Sequence, residues 1–271
     1  MKKIALAALM AFAASAQAGT GIVGANNEFT LSGGIHNLDY SEHSPTAGEP
    51  STLDSESGNQ GAFGLAWTHQ GTILNIPNVY LSVSGNFIFG STSYSGYLQD
   101  GYGNLYPYDG STQNNQQDFQ LRIGQSYPLG ANRQFQLTPY FTYSYHHWKR
   151  QPGGEYNEDY SHNGLGVGLL GQYAPTPYVV LSADVSVQAM LGAQIKVDGY
   201  PTMDLQNRPI KTLTLGADYA VTPRFHVNGS YRFTSFDYGG STPVVANGME
   251  VWEPDSRTRE NLFMVGVSWA Y

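Results

Sequence analysis

From Phe29 onward the chain alternates apolar and polar residues with a period of two, the signature of strands whose two faces meet different surroundings. Val79, Leu81, Val83, Phe87 and Phe89 interleave with Tyr80, Ser82, Ser84 and Asn86. Val179, Leu181, Val185 and Val187 interleave with Ser182, Asp184 and Ser186, and Phe263, Val265, Val267 and Trp269 repeat the pattern near the end. Ten such segments are predicted, near 27–40, 60–70, 78–92, 116–128, 134–148, 160–173, 177–192, 209–220, 224–237 and 259–271. The connections alternate between long ones rich in Gly, Ser, Asn, Tyr and Pro, and tight turns such as Pro128-Leu129-Gly130-Ala131-Asn132. That rhythm belongs to an up-and-down barrel with loops on one rim and turns on the other.

A water-soluble sandwich also alternates, with its apolar face turned inward and a charged face toward solvent. Here the polar face carries small residues (Gly164, Gly166, Gly168, Ser82, Ser182, Thr212, Thr214) and few charges of balanced sign. Charged residues are only 13% of the chain, so the polar face suits a narrow enclosed lumen and the apolar face suits hydrocarbon. The fold expected is therefore all-β: a closed antiparallel up-and-down transmembrane β-barrel of ten strands, with eight as the alternative.

Residues 1–18 read as a secretory signal peptide: Lys2 and Lys3, an apolar run from Ile4 to Ala14, and Ala16-Gln17-Ala18 before the expected cleavage. The barrel domain would then be residues 19–271. The net charge is −8, and −10 once Lys2 and Lys3 leave, which argues against a nucleic-acid partner. With no cysteine, disulfides, thiolate metal sites and cysteine nucleophiles are excluded.

Tyr127, Tyr173, Tyr219 and Tyr271, with Trp269 beside the last, lie on the apolar parity at the short-turn ends of their strands. They are assigned to an aromatic girdle at the headgroups, against the plainer explanation that Tyr favours strands. On the other parity Asp118, Arg122, Asp184, Asp218 and Arg232 form a candidate lumen network. Its centre would be an Arg122–Asp184 ion pair, shared with Arg232, that plugs the lumen; the alternative is that lumen water solvates each charge separately. A hairpin centred near Gly154 would set Tyr140 opposite Gly168, Thr142 opposite Gly166 and His146 opposite His162. His146 and His162 are thus the candidate ligand pair at the outer rim, or else a pair of wet rim histidines. Pro139, inside a strand, is expected to mark a bulge.

With these features in view, the mature chain resembles the small outer-membrane β-barrel proteins of Gram-negative bacteria. The most specific part is Leu262-Phe263-Met264-Val265-Gly266-Val267-Ser268-Trp269-Ala270-Tyr271, which is similar to the family's C-terminal assembly signal, with Tyr where Phe is commoner. The resemblance implies the outer membrane as location. As partners it implies membrane lipid and lipopolysaccharide, and the barrel-assembly machinery through the last strand. In size the chain is similar to the omptin proteases and the Opc-type adhesins. The Asp-x-Asp and Asp-x-His pairs of omptins and the His-x-Ser of barrel lipases are absent, so no catalytic residue, cofactor or metal carries over.

Two outer loops stand out. The first is anionic (Glu42, Glu49, Asp54, Glu56), suited to sharing divalent cations with lipopolysaccharide or simply solvated. The second is rich in Tyr (Tyr94, Tyr97, Tyr102, Tyr106, Tyr108), suited to an extracellular ligand or to packing of loop on loop. The function expected is non-enzymatic: a barrel presenting surface loops for adhesion or interaction and for envelope structure. The alternatives are a narrow pore for small solutes and an omptin-like rim hydrolase.

Overall fold

The computed structural model describes residues 21–44, 50–99, 105–154, 156–246 and 248–271. The expected signal peptide, Glu49 and Tyr102 lie outside these. A short helix, α1 (Gly21–Ala25), precedes ten long strands: β1 (Glu28–His43), β2 (Asp54–Ile73), β3 (Ile76–Gln99), β4 (Leu105–Gln125), β5 (Phe135–Pro152), β6 (Glu158–Thr176), β7 (Val179–Val197), β8 (Ile210–Ala220), β9 (Phe225–Tyr238) and β10 (Asp255–Ala270). Each pairs antiparallel with its chain neighbours, and β1 pairs with β10 from Glu28↔Ala270 to His43↔Asp255, which closes the ring. Two short additions, Tyr127–Leu129 and Met203–Asp204, extend the sheet, and Val244–Ala246 with Met249–Val251 form a separate outer hairpin.

Large apolar side chains cover the outside of the lower barrel. Phe141 is 71% and Val265 68% exposed, and Leu137, Val185 and Val227 also point outward. In water such a surface would be untenable; in a bilayer it is the lipid face, and closure satisfies every strand's hydrogen-bonding edge. The girdle residues lie where the alternation put them. Tyr127, Tyr219 and Trp269 are each about half exposed, Tyr173 stacks on Phe135 with centroids 4.4 Å apart, and Tyr271 lies 5.3 Å from Phe29.

The strands run further than expected at the loop rim. The apolar band ends near Ile35, Phe89, Phe119 and Tyr145, yet the ladders continue to His43, Gln99, Leu105 and Pro152. Beyond the band the outer face is polar: Asp39, Ser55, Ser57, Ser93, Gln113, Lys149, Lys211, Asp237, Arg257 and Arg259 are all exposed. The inner face becomes apolar in compensation. Leu38, Tyr40, Trp148, Tyr160, Met190, Ile195, Phe236 and Tyr238 form one buried cluster, joined by Met203 and Leu205 from the segment between β7 and β8. The expectation of apolar outside and polar inside therefore holds within the membrane and reverses above it.

Pairing between β5 and β6 has the expected register, with Tyr140↔Gly168, Thr142↔Gly166 and His146↔His162. Pro139 corrects one expectation. It sits in unbroken register opposite Leu169, and no residue is inserted. Having no N–H, it coincides instead with a gap in the ladder between Gly124↔Tyr140 and Tyr127↔Leu137. Across that gap the Ser126 and Thr138 hydroxyls hydrogen-bond at 2.8 Å. A true bulge lies at Gly192 (φ 60°), where β7 gains a residue against β6 and reverses which parity faces the lumen.

Gly166 has no room for a side chain, since a Cβ there would overlap the Val187 carbonyl oxygen on β7. At the lipid-facing Gly171 a Cβ would meet only ordinary contacts, 3.6 Å from Leu137. We expect Gly166→Ala to lower stability by about 1–3 kcal/mol and Gly171→Ala to change it little. Denaturant midpoints in detergent, followed by the heat-dependent gel shift of a closed barrel, test the pair.

Candidate functional site

The lumen is bridged by side chains at successive heights. At the short-turn end α1 folds back beneath the barrel, with Ile22 packed on Ala174 and Val180. The Asn26 amide donates to Gln70 and Gln172 at 2.7 and 2.8 Å, and Gln136 joins both glutamines. This amide network links α1 to β2, β5 and β6. Just above it, His226 Nδ1 lies 2.8 Å from Asp218 Oδ1 and 3.5 Å from Glu28 Oε2.

At mid-height the Arg122 guanidinium donates to Asp184 Oδ2 at 3.0 Å and to Gln120 at 3.1 Å. Tyr140 donates to the other Asp184 oxygen at 2.7 Å, and its ring lies 4.9 Å below the guanidinium carbon. The same ring covers Gly168, filling space that a side chain there would need. Arg232 does not share the pair. It lines a polar cavity of about 180 Å³ with Arg122, Ser84, Asn86, Thr214 and Asn228. The five charges proposed as one network are thus divided: Arg122 with Asp184, Asp118 with His146, Asp218 with His226, and Arg232 on the cavity wall.

Next come His146 and His162, whose rings stack with centroids 4.9 Å apart. They are neighbours, as the register predicted, and they are not wet. His146 Nδ1 lies 2.7 Å from Asp118, His162 Nδ1 lies 2.7 Å from the Tyr238 hydroxyl, and both residues are buried. The nearby acids at the start of β6 have other partners: Glu158 meets Arg150, and Asp159 meets His147 at 3.4 Å.

Above these lies the feature that sequence reasoning missed. Arg150, 1% exposed, binds the carboxylates of Glu42, Asp54, Glu56 and Glu158, the first at 2.9 Å. Its guanidinium also lies 4.7 Å from the Tyr40 ring and 5.4 Å from Trp148. Ending β5 at Trp148 left Arg150 off the strand, although it shares the inward parity of His146 and Trp148. The first outer loop is corrected by the same fact. Because β1 runs to His43 and β2 begins at Asp54, Glu42, Asp54 and Glu56 point inward to Arg150 and are not a solvated anionic surface; Glu49 lies outside the described residues. The Tyr-rich second loop is mostly a continuation of the β3–β4 hairpin, with Tyr94 against Tyr108 at 5.8 Å and Tyr106 45% exposed.

Tyr40 on β1 and Tyr160 on β6, diametrically opposite strands of the ring, meet hydroxyl to hydroxyl at 3.2 Å, and Tyr160 donates to Glu253 at 2.5 Å. A contact across the full width of the ring obstructs it. The model for the outer membrane protein β-barrel domain matches residues 4–184, two thirds of the sequence. The chain belongs to the outer-membrane β-barrel family. Among solved structures this outer-membrane barrel is similar to the outer membrane protease OmpT of Escherichia coli, with 12% identity, 91% of this chain and 97% of that chain covered, and a TM-score of 0.59. It also matches OprG of Pseudomonas aeruginosa, with 14% identity, 94% and 99% covered, and a TM-score of 0.41. Comparison with curated protein sequences returns no match. At these identities the likeness is one of fold.

Arg150 stands five residues beyond Tyr145, the last apolar outward side chain of β5, which places it roughly 12 Å above the hydrocarbon at about 3.3 Å per residue and usual barrel tilt. Burial pushes the Glu158 carboxyl up to about 7, with Arg150 opposing, and burial also holds Asp54 and Glu253 well above the usual carboxylate range. A raised carboxyl binds more protons in the folded than in the unfolded chain between its ordinary value of 4.5 and about 7, so its contribution is lost as pH rises through that window. We expect the denaturant midpoint to fall between pH 5 and pH 8, and Glu158→Gln to remove on the order of 2 kcal/mol of that dependence. Arg150→Ala, which strands the carboxylates, should cost about 3–5 kcal/mol. Unfolding curves at the two pH values check both.

Proposed function

We propose that this outer-membrane barrel is a non-conducting, non-enzymatic scaffold that holds its surface hairpins above the membrane for contact with extracellular ligands and the surrounding envelope. The observation that carries the reading is the bridge across the lumen formed by Tyr40, Trp148, Tyr160 and Arg150. A pore has to keep a water column open, whereas this ring is spanned by stacked aromatic rings and an ion-paired guanidinium. The amide network above α1 adds a second obstruction at the opposite end. Height supports the same reading: β3 and β4 pair as far as Gln99↔Leu105, well above the apolar band, so the hairpin rises from the membrane as a continuous ladder.

A rim hydrolase needs an acid or base facing its substrate and water. The Asp118–His146 pair lies beneath the Trp148–Tyr160 layer, and the part-exposed His147–Asp159 pair stands on the outer wall of the barrel, not at the lumen mouth. In planar bilayers the purified barrel should therefore show no stable unitary conductance, and Tyr40→Ala combined with Tyr160→Ala should raise the frequency of current events. Steady channel openings in the unaltered protein would overturn the reading.

A further inference from the structure

At the periplasmic end of the lumen three ligand-type side chains converge from the seam of the barrel. Glu28 is the first residue of β1, Asp218 is near the end of β8, and His226 is near the start of β9. One donor atom from each lies within 4.8 Å of the other two, and no other group of three or more His, Asp or Glu among the described residues meets that condition. His226 Nδ1 is 2.8 Å from Asp218 Oδ1 and 3.5 Å from Glu28 Oε2. Two donors bound to one tetrahedral ion at about 2.0–2.1 Å stand roughly 3.3 Å apart, so these separations bracket the one an ion requires.

The group is also short of positive charge. Glu28 is 7% exposed, and Glu28 Oε2 and Asp218 Oδ2 have no hydrogen-bond partner. Among the described residues no Lys or Arg forms an ion pair with either carboxylate. One imidazolium compensates at most one of the two. Buried carboxylates are ordinarily paired or bound to metal, because each loses its hydration. Other histidine-bearing and acidic groups of the lumen have ion-pair or hydrogen-bond partners outside any such threefold cluster, Glu260 with His36 at 3.6 Å among them. His146 and His162 have Asp118 and Tyr238, and the carboxylates above them surround Arg150.

We propose that Glu28, Asp218 and His226 bind a divalent first-row transition-metal ion, with zinc as the reference species. One imidazole nitrogen and two carboxylate oxygens make a mixed N/O donor set of the kind zinc accepts, whereas calcium prefers six to eight oxygens. Thr30, which donates to Glu28 Oε1 at 3.3 Å, lines the mid-lumen polar cavity, so the group borders space from which a further oxygen ligand can come. The ion ties β1 to β8 and β9 across β10, the strand with which β1 closes the ring. It therefore acts as a clasp on the seam between the two ends of the chain.

The test is equilibrium dialysis of the tag-free, chelator-stripped barrel against Zn²⁺, with metal measured by elemental analysis. One ion per chain is expected. His226→Ala and Glu28→Gln should each weaken binding at least about tenfold, while His146→Ala keeps the unaltered affinity. Should the seam variants fail to show the heat-dependent gel shift of a folded barrel, Co²⁺ in the unaltered protein decides. An intense visible band of four-coordinate Co²⁺ supports the site, and its absence overturns it. Failure to retain stoichiometric zinc, or binding unchanged in folded His226→Ala and Glu28→Gln, also overturns it.

Discussion

Everything in this molecule follows from the rule that backbone N–H and C=O groups have no partner in hydrocarbon except one another. A sheet obeys that rule only by closing, and the β1–β10 ladder is where this chain does so. Closure fixes which side of each strand meets lipid, and the side-chain pattern follows from it. It also encloses a narrow lumen in which most inward ionisable groups acquire partners: Arg122 with Asp184, His146 with Asp118, and Arg150 with its carboxylates. Each bridge is a response to confinement, and together they turn the enclosed volume into a structural core.

Within the membrane most of this could be read from residue order. Lipid imposes a strong contrast between faces, so Leu137, Phe141 and Tyr143 against Thr138, Tyr140 and Thr142 define both a strand and its orientation. The register of β5 with β6, the cover of Tyr140 over Gly168 and the Arg122–Asp184 approach all rest on counting residues from a turn, which works while pairing is regular. Beyond the band the contrast changes sign. Residues 54–60 carry no large apolar side chain, and in Leu38-Asp39-Tyr40 the apolar parity is opposite to that of Phe29 and Leu31. Strand there looks like loop, and so Arg150 escaped notice while Glu42, Asp54 and Glu56 read as an anionic loop. Gly192 hides a further change of phase, which puts Ala193 and Ile195 inside although Val185 and Val187 are outside.

Family membership places the barrel in the outer membrane and leaves its role to its own chemistry. One fold can host many activities, so whatever this barrel does must reside in its lumen and rim. In this chain the rim is consolidated: outer segments return to pack on the lumen mouth through Met203, Leu205 and Val244, and Gln206 bridges to Gly239. Surface recognition would thus rest on a base held rigid from within.

The reversal of polarity along single strands has a consequence for variation in this protein. On β7, Val185 faces lipid and Ile195 faces an aromatic interior roofed by water-exposed residues, so one strand spans two solvents. A change to Ser at the first position exchanges hydrocarbon contact for a polar group in oil, while the same change at the second opens a void in a water-excluded core. Replacing Lys149 by Leu would be adverse for the opposite reason, since that side chain already stands in the aqueous phase. Tolerance to mutation in such a barrel therefore depends on height as much as on face, and drift among its descendants should follow contour lines around the cylinder more closely than it follows strands.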